Sequence, residues 1–364
     1  MKILFVLEHF YPYIGGAEKL FYELTTKLAS QDYEIIVVTT QFDKKLPLEE
    51  LHKGVKIVRV KCNNRYAFTF FSIPKIIQNA KGCDLIHTTT YNAAMPAIVA
   101  GKFMRKPVFV TFHEVWGKLW KQLPFTSFIE KNAFYLFEKL LLNLPFHKFI
   151  AVSEFTKSKL MEYGVSENKI VRIYNGIDYD IFKNYQPKSP EVFTYTYFGR
   201  LGISKGLDLL IPAAAEFSKT YPNSKLKLII PKQPKGIYDQ VKKLISSYDL
   251  DSHIELHHNL SRERLYEELL KSSCIVIPSY SEGFCFAAAE TVALNVPIIS
   301  SHQGALKEVV SGRFIEMKEQ SQKALYNALE KAILQNWTET PIKYYHLSDS
   351  IKMYSEMYSG IKKC

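Results

Sequence analysis

The sequence predicts an α/β chain of two successive doubly wound domains facing each other across a cleft. Three observations predict it. The chain has 364 residues, more than the roughly 250–300 at which a single core stops growing. A rhythm of short apolar run, polar turn and amphipathic stretch fills it, and several runs are apolar on both faces, as buried parallel strands are. The rhythm breaks at a polar, proline-bearing stretch over Lys183–Glu191 and then restarts, which marks a linker.

Before that break, strands are expected at Ile3–Leu7, Glu34–Thr39, Val55–Val60, Asp84–His87, Val108–Phe112, Phe149–Val152 and Ile170–Ile173. Gly16–Ala29 sets Ala17, Leu20, Phe21, Leu24 and Leu28 on one helical stripe. Phe128–Leu142 and Ser153–Tyr163 are further helices. After it, strands are expected at Phe193–Phe198, Lys225–Ile230, Ile254–Leu256, Cys274–Ile277 and Pro297–Ser300. Helices follow at Gly206–Thr220, Gly236–Tyr248, Ser261–Ser272 and Cys285–Asn295. A last helix over Tyr344–Ile361 carries Tyr345, Leu347, Ile351, Met353, Tyr354 and Tyr358, and needs an apolar surface to cover. The expected domains are 1–182 and 192–343, with 344–364 as a terminal helix.

Composition narrows the function class. Hydrophobic content is 47%, which excludes a disordered chain. Five cysteines are scattered with no Cys-x-x-Cys pair, so neither a disulfide scaffold nor a zinc site is expected, and a reducing cytoplasm fits. The first apolar run ends at Glu8-His9 without a cleavage signal, so it reads as a buried strand. No stretch approaches the roughly 18–20 apolar residues that span a bilayer. A net charge of +11 suggests nucleic acid, an anionic membrane or an anionic small substrate. With no basic block, zinc-finger pattern or RNA-binding motif, nucleic acid is the least favoured.

Five constellations carry chemistry. Gly15-Gly16 follows the first strand and opens a helix; paired glycines let backbone N–H groups approach an anion, or simply make a tight turn. Phe198-Gly199-Arg200-Leu201-Gly202-Ile203-Ser204-Lys205-Gly206 follows the first strand of the second domain, at the end that faces the crevice in doubly wound sheets. Arg200 offers a planar fork and Lys205 a compact charge, and the pair suits a diphosphate. Pro278–Glu290 follows the strand Cys274–Ile277 and holds Glu282 in a loop and Glu290 on a helix. A carboxylate there can accept from two vicinal hydroxyls, as ribose presents. His113 ends the strand Val108–Phe112, and Asn175-Gly176 is first of all a turn signal.

In this order, these residues resemble glycosyltransferase family 4, of the GT-B type with two Rossmann-like domains. The resemblance spans nearly the whole chain: Gly15-Gly16, His113, Ser153–Lys157, Asn175–Asp178, Gly199-Arg200 with Lys205-Gly206, and the Glu282/Glu290 pair. It implies a retaining transfer from a nucleotide-sugar, a UDP-sugar or GDP-sugar, to a glycan or lipid-linked acceptor, in surface polysaccharide or glycolipid synthesis. It implies that Arg200 and Lys205 bind the donor diphosphate and that Glu290 holds the ribose. Glu282, with the backbone around Gly283, Phe284, Cys285 and Phe286, would grip the sugar. His113 would touch the sugar from the first domain, Gly16 would approach the phosphates, and the last helix would cross back onto the first domain.

The chemistry agrees. Breaking a glycosyl–phosphate bond builds negative charge on phosphate, and fixed cations stabilise that transition state. Asp178-Tyr179-Asp180 and Asp249-Leu250-Asp251 match Asp-x-Asp by letter only, so no cofactor and no metal are expected. The chain departs from the family at Pro231–Pro234, at His257-His258-Asn259 and at Cys285, where glycine is common. Lys102–Lys148 holds eight Lys or Arg, three Glu and eleven aromatic residues, among them Trp116, Trp120, Phe125, Phe128, Phe134, Tyr135 and Phe137. Two readings fit it: a core helix with a solvated basic face, or an anionic membrane surface. The second makes the protein peripheral on the inner face of the membrane. A nucleotide-sugar epimerase of the same fold and a catalytically silent binding protein are the competing functions.

Overall fold

A computed structural model describes residues 1–13, 15–62, 64–186, 188 and 190–363. Ile14 of the glycine loop, Pro187 and Ser189 of the linker stretch, and Cys364 lie outside the described residues. Contacts divide the chain into two units. The first is Met1–Gly117, Ala133–Gly176 and Leu347–Cys364; the second is Lys118–Asn132 and Ile177–His346.

The first unit carries strands β1 (Lys2–Val6), β2 (Glu34–Thr40), β3 (Glu49–His52), β4 (Val55–Val60), β5 (Leu85–Thr89), β6 (Val108–Phe112), β7 (Lys148–Ala151) and β8 (Ile170–Arg172). They form one sheet in the order β3-β4-β2-β1-β5-β6-β7-β8, parallel except for β3. Its helices are α1 (Gly16–Ala29), α2 (Arg65–Phe71), α3 (Ile73–Ala80), α4 (Ala94–Met104), α5 (Phe128–Leu142, which begins in the second unit) and α6 (Glu154–Glu162). Alternate strand residues supply two cores, as the two-residue period of a strand requires. Leu4, Val6, Ile36, Val38 and Ile86 pack with Phe68 of α2, Ile76 of α3, Ala97 of α4 and Leu160 of α6. Ile3, Phe5, Ile35, Val37 and Phe109 pack on the other face with Phe21, Leu24 and Leu28 of α1.

The second unit carries β9 (Thr194–Phe198), α7 (Leu207–Thr220), β10 (Lys225–Ile229), α8 (Lys235–Ser247), β11 (Ile254–His257), α9 (Arg262–Leu270), β12 (Cys274–Ile277) and α10 (Phe286–Ala293). It continues with β13 (Ile298–Ser300), α11 (Leu306–Val309), β14 (Gly312–Glu316), α12 (Gln322–Ile333) and β15 (Thr338–Thr340). The sheet order is β11-β10-β9-β12-β13-β14-β15, with only β15 antiparallel. Leu226, Leu228, Val276 and Ile299 share one core with Leu210, Phe217, Val241 and Leu329. The strand order reverses between β9 and β12, the place where doubly wound sheets leave a crevice at their carboxyl ends.

The terminal helix α13 (Leu347–Ser359) belongs to the first unit, where Ile351, Tyr354 and Tyr358 fill the core beside α1. It starts at Leu347, three residues later than the sequence suggests. Tyr345 instead runs with the second unit: Ile177 N–H donates to Tyr345 O at 2.7 Å. Tyr345 N–H donates to Tyr179 Oη at 2.9 Å. These bonds also move the boundary from 182 to Gly176. Gly176 is not a left-handed turn residue. A Cβ there would stand 2.4 Å from Leu347 Cα, so glycine admits the start of α13. Ser350 Oγ donates to Tyr174 O at 2.6 Å and fixes the same approach. Among the described residues, no helix is long and apolar enough to cross a membrane.

Candidate functional site

The densest arrangement of the sequence-predicted residues lies at the carboxyl ends of β9 and β12. All five residues of β9 are buried, and the chain leaves it through Gly199 at φ +138°. Arg200 follows, exposed and with no side-chain partner among the described residues. The loop ends at Gly206, φ +72°, where a Cβ would lie 2.1 Å from Pro278 O. Glycine therefore lets the β9 loop lie directly on the β12 loop. Tyr280 N–H donates to Ser204 O at 2.7 Å and locks the two together.

That contact sets Lys205 against Glu282. Lys205 Nζ donates to Glu282 Oε1 at 2.8 Å, and Ser279 Oγ donates to the same oxygen at 2.7 Å. Both donors use Oε1, which leaves Oε2 with no partner among the described residues. Burial opposes the Lys205 charge, but the Glu282 carboxylate outweighs it and holds the ammonium above its usual pKa. Gly304, φ +64° in the loop after β13, presses on the same residue: a Cβ there would meet Glu282 O at 2.4 Å. Ala305 N–H donates to Glu282 O at 2.8 Å. Sequence reasoning assigns Lys205 to the diphosphate alone and misses Ser279 and Gly304. A glycine just past a buried strand is the available signal for the latter.

Cys285 caps α10 at φ +75°, a left-handed position that favours glycine, in line with its departure from the family pattern. Burial, and then the Glu282 charge, push its thiol far above the usual range, so it stays protonated and is no nucleophile. Gly283 and Phe284 lead to it. Phe284 meets Phe286 edge-on at 5.4 Å and Tyr345 at 5.3 Å. Glu290 is the fifth residue of α10 and is buried; Tyr266 Oη donates to its Oε1 at 3.3 Å. Burial first, then the nearby Glu290 charge, keep the Tyr266 phenol protonated.

The remaining sequence-predicted residues sit in the first unit. Gly15 caps α1 in an extended conformation that any residue adopts, its carbonyl accepting from Lys19 N–H at 2.9 Å, and Gly16 is the first helical residue. His113 follows β6 and meets Phe21 edge-on at 5.9 Å. Sequence reasoning assigns no role to Glu8, buried just beyond β1. Its carboxylate is bound by Arg65 Nε at 2.9 Å and Asn92 Nδ2 at 2.9 Å. Burial raises the Glu8 pKa, but His9, Arg65 and Asn92 together bring it below the usual range.

The other motifs have local duties. Asp178 accepts from Asp180 N–H at 3.1 Å, and Asp180 pairs with Lys183 at 2.6 Å. His258 Nδ1 bonds Ile230 O at 2.7 Å, tying the loop after β11 to the end of β10. Among the described residues, no three His, Cys, Asp or Glu side chains are grouped to hold a metal.

Two family models together account for most of the chain. The model described as Glycosyltransferase Family 4 matches residues 14–181. The model described as Glycosyl transferases group 1 matches residues 178–347. The chain belongs to glycosyltransferase family 4. Among relatives of this transferase, a component of the human phosphatidylinositol N-acetylglucosaminyltransferase is 26% identical over 92% of this chain and 69% of its own length. The GDP-mannose:cellobiosyl-diphosphopolyprenol alpha-mannosyltransferase of Xanthomonas campestris is 24% identical over 82% of this chain and 78% of its own. Among solved structures, sucrose-phosphate synthase from Thermosynechococcus elongatus superposes with a TM-score of 0.83 at 19% identity, covering 100% of this chain and 99% of that one. The family 4 transferase therefore has the α/β fold of the GT-B enzymes.

Proposed function

We propose that this glycosyltransferase transfers a hexose, with retention of anomeric configuration, from a UDP-sugar or GDP-sugar to a lipid-linked or glycan acceptor in surface polysaccharide or glycolipid synthesis. The observation that carries this reading is the Lys205–Glu282–Ser279 cluster beside the unpaired Arg200. Arg200 is the mobile cation for the diphosphate. Lys205 supplies a fixed charge at the same place, so charge that grows on the leaving phosphate meets groups already oriented. Glu282 Oε2 accepts from a donor-sugar hydroxyl, and Glu290 from the ribose. Gly15, Gly16 and His113 complete the contacts to phosphate and sugar. With two cations in place, a metal is unnecessary.

A lipid-linked acceptor is supported by the relatives, whose names specify phosphatidylinositol and a diphosphopolyprenol. The test is a panel of nucleotide-sugars with the purified chain, scored for thermal stabilisation and slow donor hydrolysis. One donor should raise Tm and be hydrolysed equally in excess EDTA, and the glycoside formed on a lipid-linked or glycan acceptor should keep the donor's anomeric configuration by NMR. If no donor is bound or turned over, the reading fails.

A further inference from the structure

Glu282 is only as well placed as the loop that carries it, and 278–285 forms neither helix nor strand. Its neighbours tie it down instead. Gln320, after β14, donates from Nε2 to Pro278 O at 2.6 Å. Ser301, after β13, donates from Oγ to Ser279 O at 2.6 Å. Both reach backbone carbonyls, which need a partner wherever they are buried. The tie at Tyr280 is of another kind, because it joins two side chains. Tyr280 Oη donates to Asp208 Oδ2 at 2.6 Å, and Asp208 is the second residue of α7.

Tyr280 therefore holds the β9 loop and the start of α7 at two points. Its N–H donates to Ser204 O, just before Lys205, and its hydroxyl donates to Asp208, just past Gly206. Lys205 is bracketed between them, while Ser279 and Glu282 lie within two residues of Tyr280 in the chain. The distance falls in the range of about 2.5–2.7 Å for a hydroxyl donating to an ionised carboxylate, a bond roughly twice as strong as a neutral one. Burial, then the bond and charge of Asp208, push the Tyr280 phenol far above its usual range, so it keeps the proton it donates. Burial also raises the Asp208 pKa, and the bond from Tyr280 opposes that rise. Asp208 Oδ1 is buried with no hydrogen-bond partner among the described residues.

A buried acid with one unpaired oxygen is a costly way to fill space. A phenylalanine at 280 facing an apolar residue at 208 would pack a similar volume without desolvating a charge. What the polar pair adds is direction, since a hydrogen bond holds the ring, and with it the backbone at 280, to a narrow range of positions.

We infer that Tyr280 and Asp208 are positioning residues, which set the Glu282 carboxylate at the donor sugar and Lys205 at the leaving phosphate. The inference rests on the transferase reading above and adds two residues to it.

The test is steady-state donor hydrolysis by Y280F, D208A, D208N and Y280F/D208A, with Tm and the affinity for UDP and GDP measured on each. Y280F and D208A should each lower kcat about tenfold, a small misplacement being enough, with nucleotide affinity unchanged. D208N still accepts from the phenol through its amide oxygen and should recover most of the loss seen in D208A. The double variant should lose no more than either single one, because both remove the same bond; independent effects would multiply to about a hundredfold. Multiplied losses, or a fall in Tm with kcat intact, overturn the inference and leave the pair a packing contact. If wild type hydrolyses no donor, the transferase reading fails by itself and hydrogen exchange decides the clasp. The amides of 279–285 should then exchange at least about tenfold faster in Y280F than in wild type, and equal rates overturn it.

Discussion

Glu282 is held by two donors on one oxygen, and that asymmetry decides which substitutions matter. Removing Ser279 Oγ frees the carboxylate to rotate but leaves both charges in place. Ser279→Ala should lower kcat/KM about tenfold, by about 1.4 kcal/mol, with little change in the affinity for UDP or GDP alone. On the proposed reading Lys205 faces the leaving phosphate, so Lys205→Ala should cost about a hundredfold to a thousandfold in kcat. It also strands a buried carboxylate, so Tm should fall as well. Glu282→Gln in the Lys205→Ala background should recover part of that Tm but none of the turnover. Thermal melts and steady-state kinetics on the three variants separate the roles. Equal losses of kcat/KM from Ser279→Ala and Lys205→Ala would mean that the serine does more than position.

At the scale of elements, the sequence is legible wherever burial imposes a period. Val55–Val60, Val108–Phe112 and Cys274–Ile277 stand in the structure with the bounds the sequence suggests. It is illegible where local pattern and burial disagree. α4 is apolar nearly all round and contains Pro96 and Gly101, so no stripe stands out; Gly101 is there because a Cβ would strike Val108 at 2.2 Å. β15 is fully exposed and paired on one edge only, so it lacks alternation. Of the candidate site, Arg200, Lys205 and Glu282 stand out in the sequence because charge in a strand-to-helix loop is conspicuous, and Glu290 because it follows on the next helix, whereas Ser279 and Gly304 touch Glu282 through contacts that only folding creates. The docking of α13 has the same character. His87 of β5 is fully buried, bonding Tyr358 of α13 through Nδ1 and Thr111 of β6 through Nε2 at 2.9 Å. Burial, reinforced by His113, depresses its pKa to about 3. The unfolded chain binds a proton at about 6.5, the folded chain does not, so this contribution is intact above a pH of about 6.5 and is lost as pH falls toward 3. Tm should therefore decline on acidification below a pH of about 6.5, and His87→Leu should flatten that decline while lowering Tm at neutral pH. An unchanged slope in the variant would assign the acid sensitivity to other groups.

Over the whole molecule, the chain leaves the first unit at Gly117 and again at Gly176, returning to it at Ala133 and at Leu347, yet each unit keeps its own core. Arg200, Lys205, Glu282 and Glu290 all belong to the second unit. A nucleotide lacking its sugar should engage chiefly that unit, and ligand binding stabilises what it binds by mass action, about 2.7 kcal/mol at a hundredfold excess over Kd. That energy is close to a hundredfold in exchange rate for amides that exchange through opening of the unit. Hydrogen exchange with saturating UDP, and separately GDP, should therefore slow the amides of β9, β12 and the loops 199–206 and 278–285, leaving those of β1 and β2 near their free rates. The nucleotide giving the larger protection names the donor base, which His257-His258-Asn259 and Pro231–Pro234 obscure in the sequence. Equal slowing in both sheets would mean that the nucleotide is held as much by the first unit as by the second, and would move Gly16 and His113 to the centre of donor binding.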